Sequence, residues 1–308
     1  MVTRSAPLAC VLGLAACAAL GCSAGVADDD AASGQGGAGG EASSSPAGSG
    51  GGFTTGSGGG FGAGSGGGAP DGCDDAAKNY VYVLGSSREL YRFQPSTLQL
   101  SPIAVLNCPG DTIGSTFSMA VDRSGTAWVL YSDGQLYRVS TADGACTSTG
   151  YNAFTDGWFS GFGMGFVAEG PNTEAETLFL GTEQGLAKLD TQSLQSSLVG
   201  GYDTLPTTVA ELTGTGDGRL FAYFSGSPVT FAEIDKTNAH VVSSAALQGI
   251  PQSSWAFAFW GGSFWLFNGP EIRKYDAQTQ ALQLVVPNVG FNIVGAGVST
   301  CAPTIAPQ

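Results

Sequence analysis

Ala127-Trp128-Val129-Leu130-Tyr131 and Leu136-Tyr137-Arg138-Val139-Ser140 are two short apolar runs separated by Ser132-Asp133-Gly134-Gln135. Runs of β-branched and aromatic residues on either side of an Asp-Gly turn read as strand, turn, strand. The second run recurs along the chain. Its copies begin Leu90-Tyr91-Arg92-Phe93, Leu186-Ala187-Lys188-Leu189, Phe231-Ala232-Glu233-Ile234 and Ile272-Arg273-Lys274-Tyr275, at spacings of 46, 50, 45 and 41. Each copy is apolar at its first and fourth positions, charged at its third, and followed by a polar turn.

An apolar strand precedes every copy: residues 80–84, 127–131, 178–181, 220–224 and 264–267. A strand of smaller residues precedes four of those, at 117–121, 163–167, 209–213 and 256–260. The first copy lacks one, and the chain ends with a spare at 293–299. A strand missing at the start and left over at the end is what ring closure requires. The expected fold is an all-β, five-bladed β-propeller with four-stranded blades, sealed by the C-terminal strand. Gly163, Gly165, Gly295, Ala296 and Gly297 suit innermost strands crowded around a narrow tunnel. Trp128, Trp255, Trp260 and Trp265 suit packing between blades.

Ahead of the ring lies different sequence. Ala24 to Gly72 holds 20 glycines in 49 residues, and its large or branched apolar groups are Val26, Phe53 and Phe61. Such composition cannot offset ordering entropy by burial, so it reads as a disordered tether. As a flexible chain it spans about 35–42 Å. Before it, Arg4 and the apolar stretch 6–20 make a secretory signal too short to cross a bilayer. The expected organisation is a signal at 1–21, a tether at 22–72 and a propeller domain at 73–308.

Ala19-Leu20-Gly21-Cys22 resembles a bacterial lipobox, in which the signal is cut before a cysteine that is then acylated. That pattern prefers Leu where Ala19 stands. Leu14-Ala15-Ala16-Cys17 fits it better but leaves a shorter apolar region, so Cys22 is favoured and Cys17 is the alternative. Ser23 resembles the outer-membrane form of the pattern, because it is not the retention-type Asp. The resemblance implies a lipid-anchored protein at the periplasmic or surface face of a bacterial outer membrane. The repeat itself resembles bacterial propellers with "Leu-Tyr-Arg-Val-Asp" blades, including quinoprotein-like and gluconolactonase-like proteins, and Asp122-Arg123-Ser124-Gly125-Thr126-Ala127-Trp128 is similar to their first inner turn. These residues build blades and are shared by unrelated activities, so they assign none.

Seven cysteines occur. Four follow the tether, and an exported domain favours disulfides. Cys73 lies just before the first blade and Cys301 just after the closing strand, so they are expected to pair across the seam. Cys108–Cys146 follows by elimination. Closing a loop of 228 residues stabilises by roughly 5 kcal/mol at most in the chain-entropy view. With no Cys-x-x-Cys and one histidine, His240, a zinc site is not expected.

Lys plus Arg is 11 and Asp plus Glu is 25, giving a net charge of −14. So few basic residues make nucleic acid a poor partner. Propeller ligands sit at one tunnel mouth, where inter-blade loops meet the loops between second and third strands. Those loops carry Asp111, Asp133, Asp156, Trp158, Glu183, Asp203, Asn268, Glu271, Asn288 and Asn292. Asp111, Asp156 and Asp203 are candidate oxygen ligands for Ca²⁺, and Trp158 is a candidate sugar-stacking ring. No spacing forces two carboxylates together, and no catalytic constellation is legible. The reading is therefore a non-catalytic binding module with a polysaccharide or protein partner in the envelope. The alternative is a divalent-metal-dependent enzyme of gluconolactonase or glycan-processing type.

Overall fold

The computed structural model describes residues 73, 75–110, 114–171, 173–205, 208–251 and 255–307. The signal, Cys17, Cys22, the tether up to residue 72 and Asp111 lie outside them.

Among the described residues there are five four-stranded antiparallel sheets. A one-turn helix, α1 (Asp75–Asn79), leads into β1 (Val81–Gly85), β2 (Glu89–Gln94) and β3 (Gln99–Val105). The second blade is β4 (Thr116–Val121), β5 (Thr126–Tyr131), β6 (Gln135–Ser140) and β7 (Cys146–Asn152). The third is β8 (Gly163–Ala168), β9 (Glu176–Thr182), β10 (Gly185–Leu189) and β11 (Ser196–Gly200). The fourth is β12 (Ala210–Gly214), β13 (Leu220–Phe224), β14 (Val229–Ile234) and β15 (Val241–Leu247). The fifth is β16 (Trp255–Trp260), β17 (Ser263–Asn268), β18 (Glu271–Asp276) and β19 (Ala281–Val286). The last strand, β20 (Ile293–Gly297), pairs antiparallel with β1, placing Val83 opposite Ala296 and Leu84 opposite Gly295. The C-terminal strand is thus the innermost strand of the first blade.

Each innermost strand packs on the next: β20 on β4, then β8, β12, β16 and back to β20. The chain is a five-bladed β-propeller. Its inner strands carry small residues because neighbouring backbones touch there. A Cβ on Gly163 would lie 2.2 Å from the carbonyl oxygen of Ala210, and one on Gly214 would lie 2.2 Å from that of Phe166. Second strands are buried along almost their whole length, while outer strands alternate toward solvent.

The charged third position of the repeat lies opposite an aromatic residue of the second strand. Register places Arg92 opposite Tyr82, Arg138 opposite Trp128, Lys188 opposite Phe179, Glu233 opposite Phe221 and Lys274 opposite Trp265. Arg138 lies 4.5 Å from the Trp128 ring centre and Lys274 5.7 Å from that of Trp265. Cations over rings contribute about 0.5–1 kcal/mol at such sites. In the fourth blade the third residue is an acid, and Arg219 takes the cation's place. It sits over Phe221 at 4.9 Å and holds Glu233 with two nitrogens, at 2.8 and 2.7 Å.

Two disulfides staple the ring. Cys73–Cys301 joins its two ends, with Cα atoms 5.8 Å apart. Cys108–Cys146 ties the segment after β3 to the first residue of β7, with Cα atoms 5.1 Å apart, so it links the outer edges of the first two blades. Its loop spans 38 residues, for which chain entropy gives roughly 4 kcal/mol at most.

The turn from third to fourth strand repeats in all five blades, and its last residue takes the left-handed conformation: Leu98, Gly144, Leu194, Ala239 and Gln280, with φ of 59°, 75°, 57°, 66° and 58°. Four of these are not glycine, and the left-handed region costs an L-residue about 1–2 kcal/mol. Gln280 is exposed. Gln280→Gly is expected to raise stability by about 0.5–1 kcal/mol after glycine's larger unfolded-state entropy is deducted. Denaturant unfolding of the two proteins measures this, and a destabilised variant would show that Gln280 is unstrained.

Candidate functional site

A connection between blades begins at the outer edge of one sheet and ends at the axis. Its first residues therefore stand on the rim. Asp156 follows β7 by four residues and accepts from Tyr151 Oη at 2.7 Å, from Trp158 Nε1 at 3.1 Å and from Ser196 Oγ. Tyr151 and Ser196 belong to β7 and β11, the outermost strands of the second and third blades. Asp156 and Trp158 are thus brought together, but as a knot on the rim of that seam. The Trp158 ring is 6% exposed, packed among Phe162, Met164 and Leu189. Asp203 follows β11 by three residues and accepts from the backbone N–H of Val241 at 3.0 Å, where β15 begins. It occupies the next seam, between the third and fourth blades. Asp156 and Asp203 hold different seams together and do not converge on the tunnel. Among the described residues, no three His, Cys, Asp or Glu side chains gather as metal ligands would.

Other acids are absorbed by turns. Asp122 Oδ1 accepts from the N–H groups of Ser124 and Thr126, at 3.0 and 2.9 Å. Asp190 accepts from Gln192 and Ser193, and Asp276 from Gln278 and Thr279. These donors hold the carboxyls of Asp190 and Asp276 below the usual aspartate value. His240 is exposed and directly precedes β15.

Two glutamates stand apart. Glu211 lies on β12, 4% exposed. Ser118 Oγ of β4 donates to its Oε2 at 2.9 Å, and the Met164 backbone of β8 also bonds it. One carboxyl thereby ties three innermost strands. Burial holds it well above the usual glutamate range. The sole sign in the sequence was an acid within an otherwise small and apolar strand.

Glu176, at the start of β9, accepts from Arg123 N at 2.8 Å and Thr300 Oγ1 at 2.7 Å. Arg123 Nη2 donates to Cys73 Sγ at 3.3 Å. The C-terminal segment then crosses the turns of further blades. A Cβ on Gly216 would lie 2.3 Å from the carbonyl oxygen of Thr300, and Gly261 N donates to Pro303 O at 2.7 Å. One mouth of the ring is therefore bridged by residues 299–303 and the Cys73–Cys301 clasp.

The remaining candidate is a cleft of about 550 Å³ between the third and fourth blades. Thr177, Phe179, Lys188, Ser197, Leu198 and Val199 supply one wall, and Lys236 and Thr237, in the turn before β15, supply the other. Glu169 sits at its edge. This volume lies within the usual range of small-ligand sites. The sequence placed ligands at the tunnel mouth and did not point here.

No protein-family model matches the chain, and no curated protein matches it. Solved structures do. The chain resembles a chain in the crystal structure of a nidogen/laminin complex at 9% identity, over 71% of this chain and 97% of that one, with a TM-score of 0.48. It also resembles a chain of a mitotic checkpoint complex at 14% identity, over 70% of this chain and 65% of that one, with a TM-score of 0.35.

Burial pushes Glu176 from the ordinary 4.5 up to about 7, against the bonds from Arg123 and Thr300. The folded state therefore holds this proton more tightly than the unfolded chain does. Glu176's contribution is most favourable below pH 4.5 and is lost as pH rises through 7. With the group only partly screened from solvent, the loss amounts to about 1–3 kcal/mol. Glu176→Gln is expected to remove this slope and to melt a few degrees above the parent at pH 8. Equal pH slopes in the two melting series would refute it.

Proposed function

We propose that this chain is an exported, lipid-anchored envelope protein whose propeller binds a ligand without catalysis. The carrying observation is the preformed cleft between the third and fourth blades, set in a ring whose ends are covalently joined. Glu169, the acid that lines it, is held by the Thr177 hydroxyl. The two disulfides fit an oxidising compartment. Arg4, the apolar stretch, Cys22 and the glycine-rich tether support an outer-membrane anchor, periplasmic or at the surface. The anchor fixes the chain to the bilayer, and the tether gives the propeller reach toward polysaccharide or protein partners of the envelope.

The anchor is tested by expressing the full chain in bacteria with a clickable fatty acid. Label is expected in the membrane fraction, retained by Cys17→Ser and lost by Cys22→Ser. A soluble, unlabelled parent would overturn anchoring. The metal-dependent enzyme reading is separated by melting the purified protein with calcium and with chelator. Equal midpoints are expected. A ligand at 100 times its Kd adds about 2.7 kcal/mol, so a rise of several degrees with calcium would favour the enzyme.

A further inference from the structure

At two seams the third residue of the repeat comes together with the turn between third and fourth strands of the next blade. Between the second and third blades the two meet directly: Arg138 Nη2 donates to the carbonyl oxygen of Thr191 at 2.6 Å. The residues equivalent to Thr191 are Pro95, Thr141, Lys236 and Ala277. Only between the third and fourth blades does a cation, Lys236, occupy the turn position. Lys188 of the third blade and Lys236 of the fourth both line the cleft, so two cations stand at this seam.

The two ammonium groups are not equivalent. Lys236 Nζ is committed, donating to the carbonyl oxygens of Ala168 and Glu169 at 2.6 and 3.1 Å. Lys188 is exposed and has no hydrogen-bond, ion-pair or ring partner among the described residues. In a chain of charge −14, an uncommitted cation beside a second one marks a place for an anion. Glu169 and Asp217 both act on Lys236, and the Glu169 carboxylate is itself held by Thr177 Oγ1. Lys188 is left as the one cation here without a carboxylate partner, which suits a ligand bearing one carboxylate. The Ser197 hydroxyl lines the same walls, the hydroxyls of Thr177 and Thr237 donate to Glu169 and Asp235 and can still accept, and Leu198 adds an apolar surface, 51% exposed. Hydroxyls beside a cation and an apolar patch match a sugar ring that bears an acid.

We propose that this cleft binds a carboxylated sugar, a hexuronate unit of an acidic polysaccharide, with Lys188 meeting the carboxylate. The inference rests on the binding reading above and names the ligand class of that site.

The test uses the full mature chain in detergent, titrated calorimetrically with oligogalacturonate, with the matching neutral oligogalactose and with oligoglutamate. Oligogalacturonate is expected to bind, and neutral oligogalactose to bind at least tenfold more weakly. Lys188→Gln is expected to weaken oligogalacturonate by about tenfold with an unchanged melting point, because the side chain is exposed. Lys188→Arg is expected to retain binding. Higher salt weakens the interaction, since the charge is solvent-facing. No oligogalacturonate binding overturns the proposal, as does binding untouched by Lys188→Gln. Preference for oligoglutamate overturns it in favour of an acidic peptide. Binding of either neutral or acidic sugar outside the cleft would sink this assignment while leaving the non-catalytic reading in place, whereas cleavage of the oligosaccharide during titration would sink the latter.

Discussion

Everything in this fold depends on the pairing of residues 293–297 with residues 81–85. Without it the first blade has three strands, and the inner edge of β1 is an open row of backbone donors and acceptors. With it, five innermost strands come into mutual contact and the tunnel exists. The two partners lie more than 200 residues apart, so the contact is slow to find and costly in loop entropy. The molecule meets that cost with a covalent bond across the same seam, Cys73–Cys301. Trp260 adds its indole N–H to the carbonyl of Lys78 at 2.8 Å, and Thr300 adds its hydroxyl to Glu176. These contacts draw helix α1 and the C-terminal segment to the same end of the ring, so the clasp and the plugged mouth are one feature.

An acidic chain suggests a surface of free carboxylates, but this one uses many of them as backbone ligands. Repeats of the third-to-fourth turn need an oxygen to hold the N–H groups of a tight reversal, and Asp190, Asp235 and Asp276 provide it. Seams need a bond between outer strands and incoming connections, and Asp156 and Asp203 provide that. Net charge therefore says little about chemistry here. What it does say is that a free cation has few competitors for an anionic ligand.

The ring was legible because its signals are local and repeated. Leu136-Tyr137-Arg138-Val139 and its copies mark strands by period, and the displaced small-residue strand marks closure by order; both survive small errors in boundaries. The pairing of Cys73 with Cys301 was legible for the same reason, since closure brings the ends together. Site geometry was not. Asp156, Trp158 and Asp203 were placed at a tunnel mouth because inter-blade loops pass it, yet a loop reaches the axis only in its last residues. Residues three or four beyond an outer strand remain on the rim. Glu211 escaped notice because burial is a property of the ring's centre, and one acid in a strand of five carries no periodic signal. Glu176 needed three distant segments, the turn at Arg123, the strand β9 and the tail at Thr300, to become what it is.

A repeat that builds five equal seams has no preferred place for a ligand. Function requires that the equivalence be broken, and the break must not cost the ring its closure. Inner strands cannot supply it, because their backbones touch and substitution there strains the contact between blades. Second strands are buried on both faces and are equally constrained. The turn between third and fourth strands is the position with freedom: its hydrogen bonds come from the backbone and, in four blades, from the side-chain oxygen of the Ser or Asp that opens it, so the next residue can vary. Pro95, Thr141, Thr191, Lys236 and Ala277 show that latitude. Lys236 uses it to change the character of a seam, because it sets a second cation in the cleft that Lys188 also lines. A tolerant turn can thus give one seam a chemistry of its own, with the rigidity of the surrounding blades already in place.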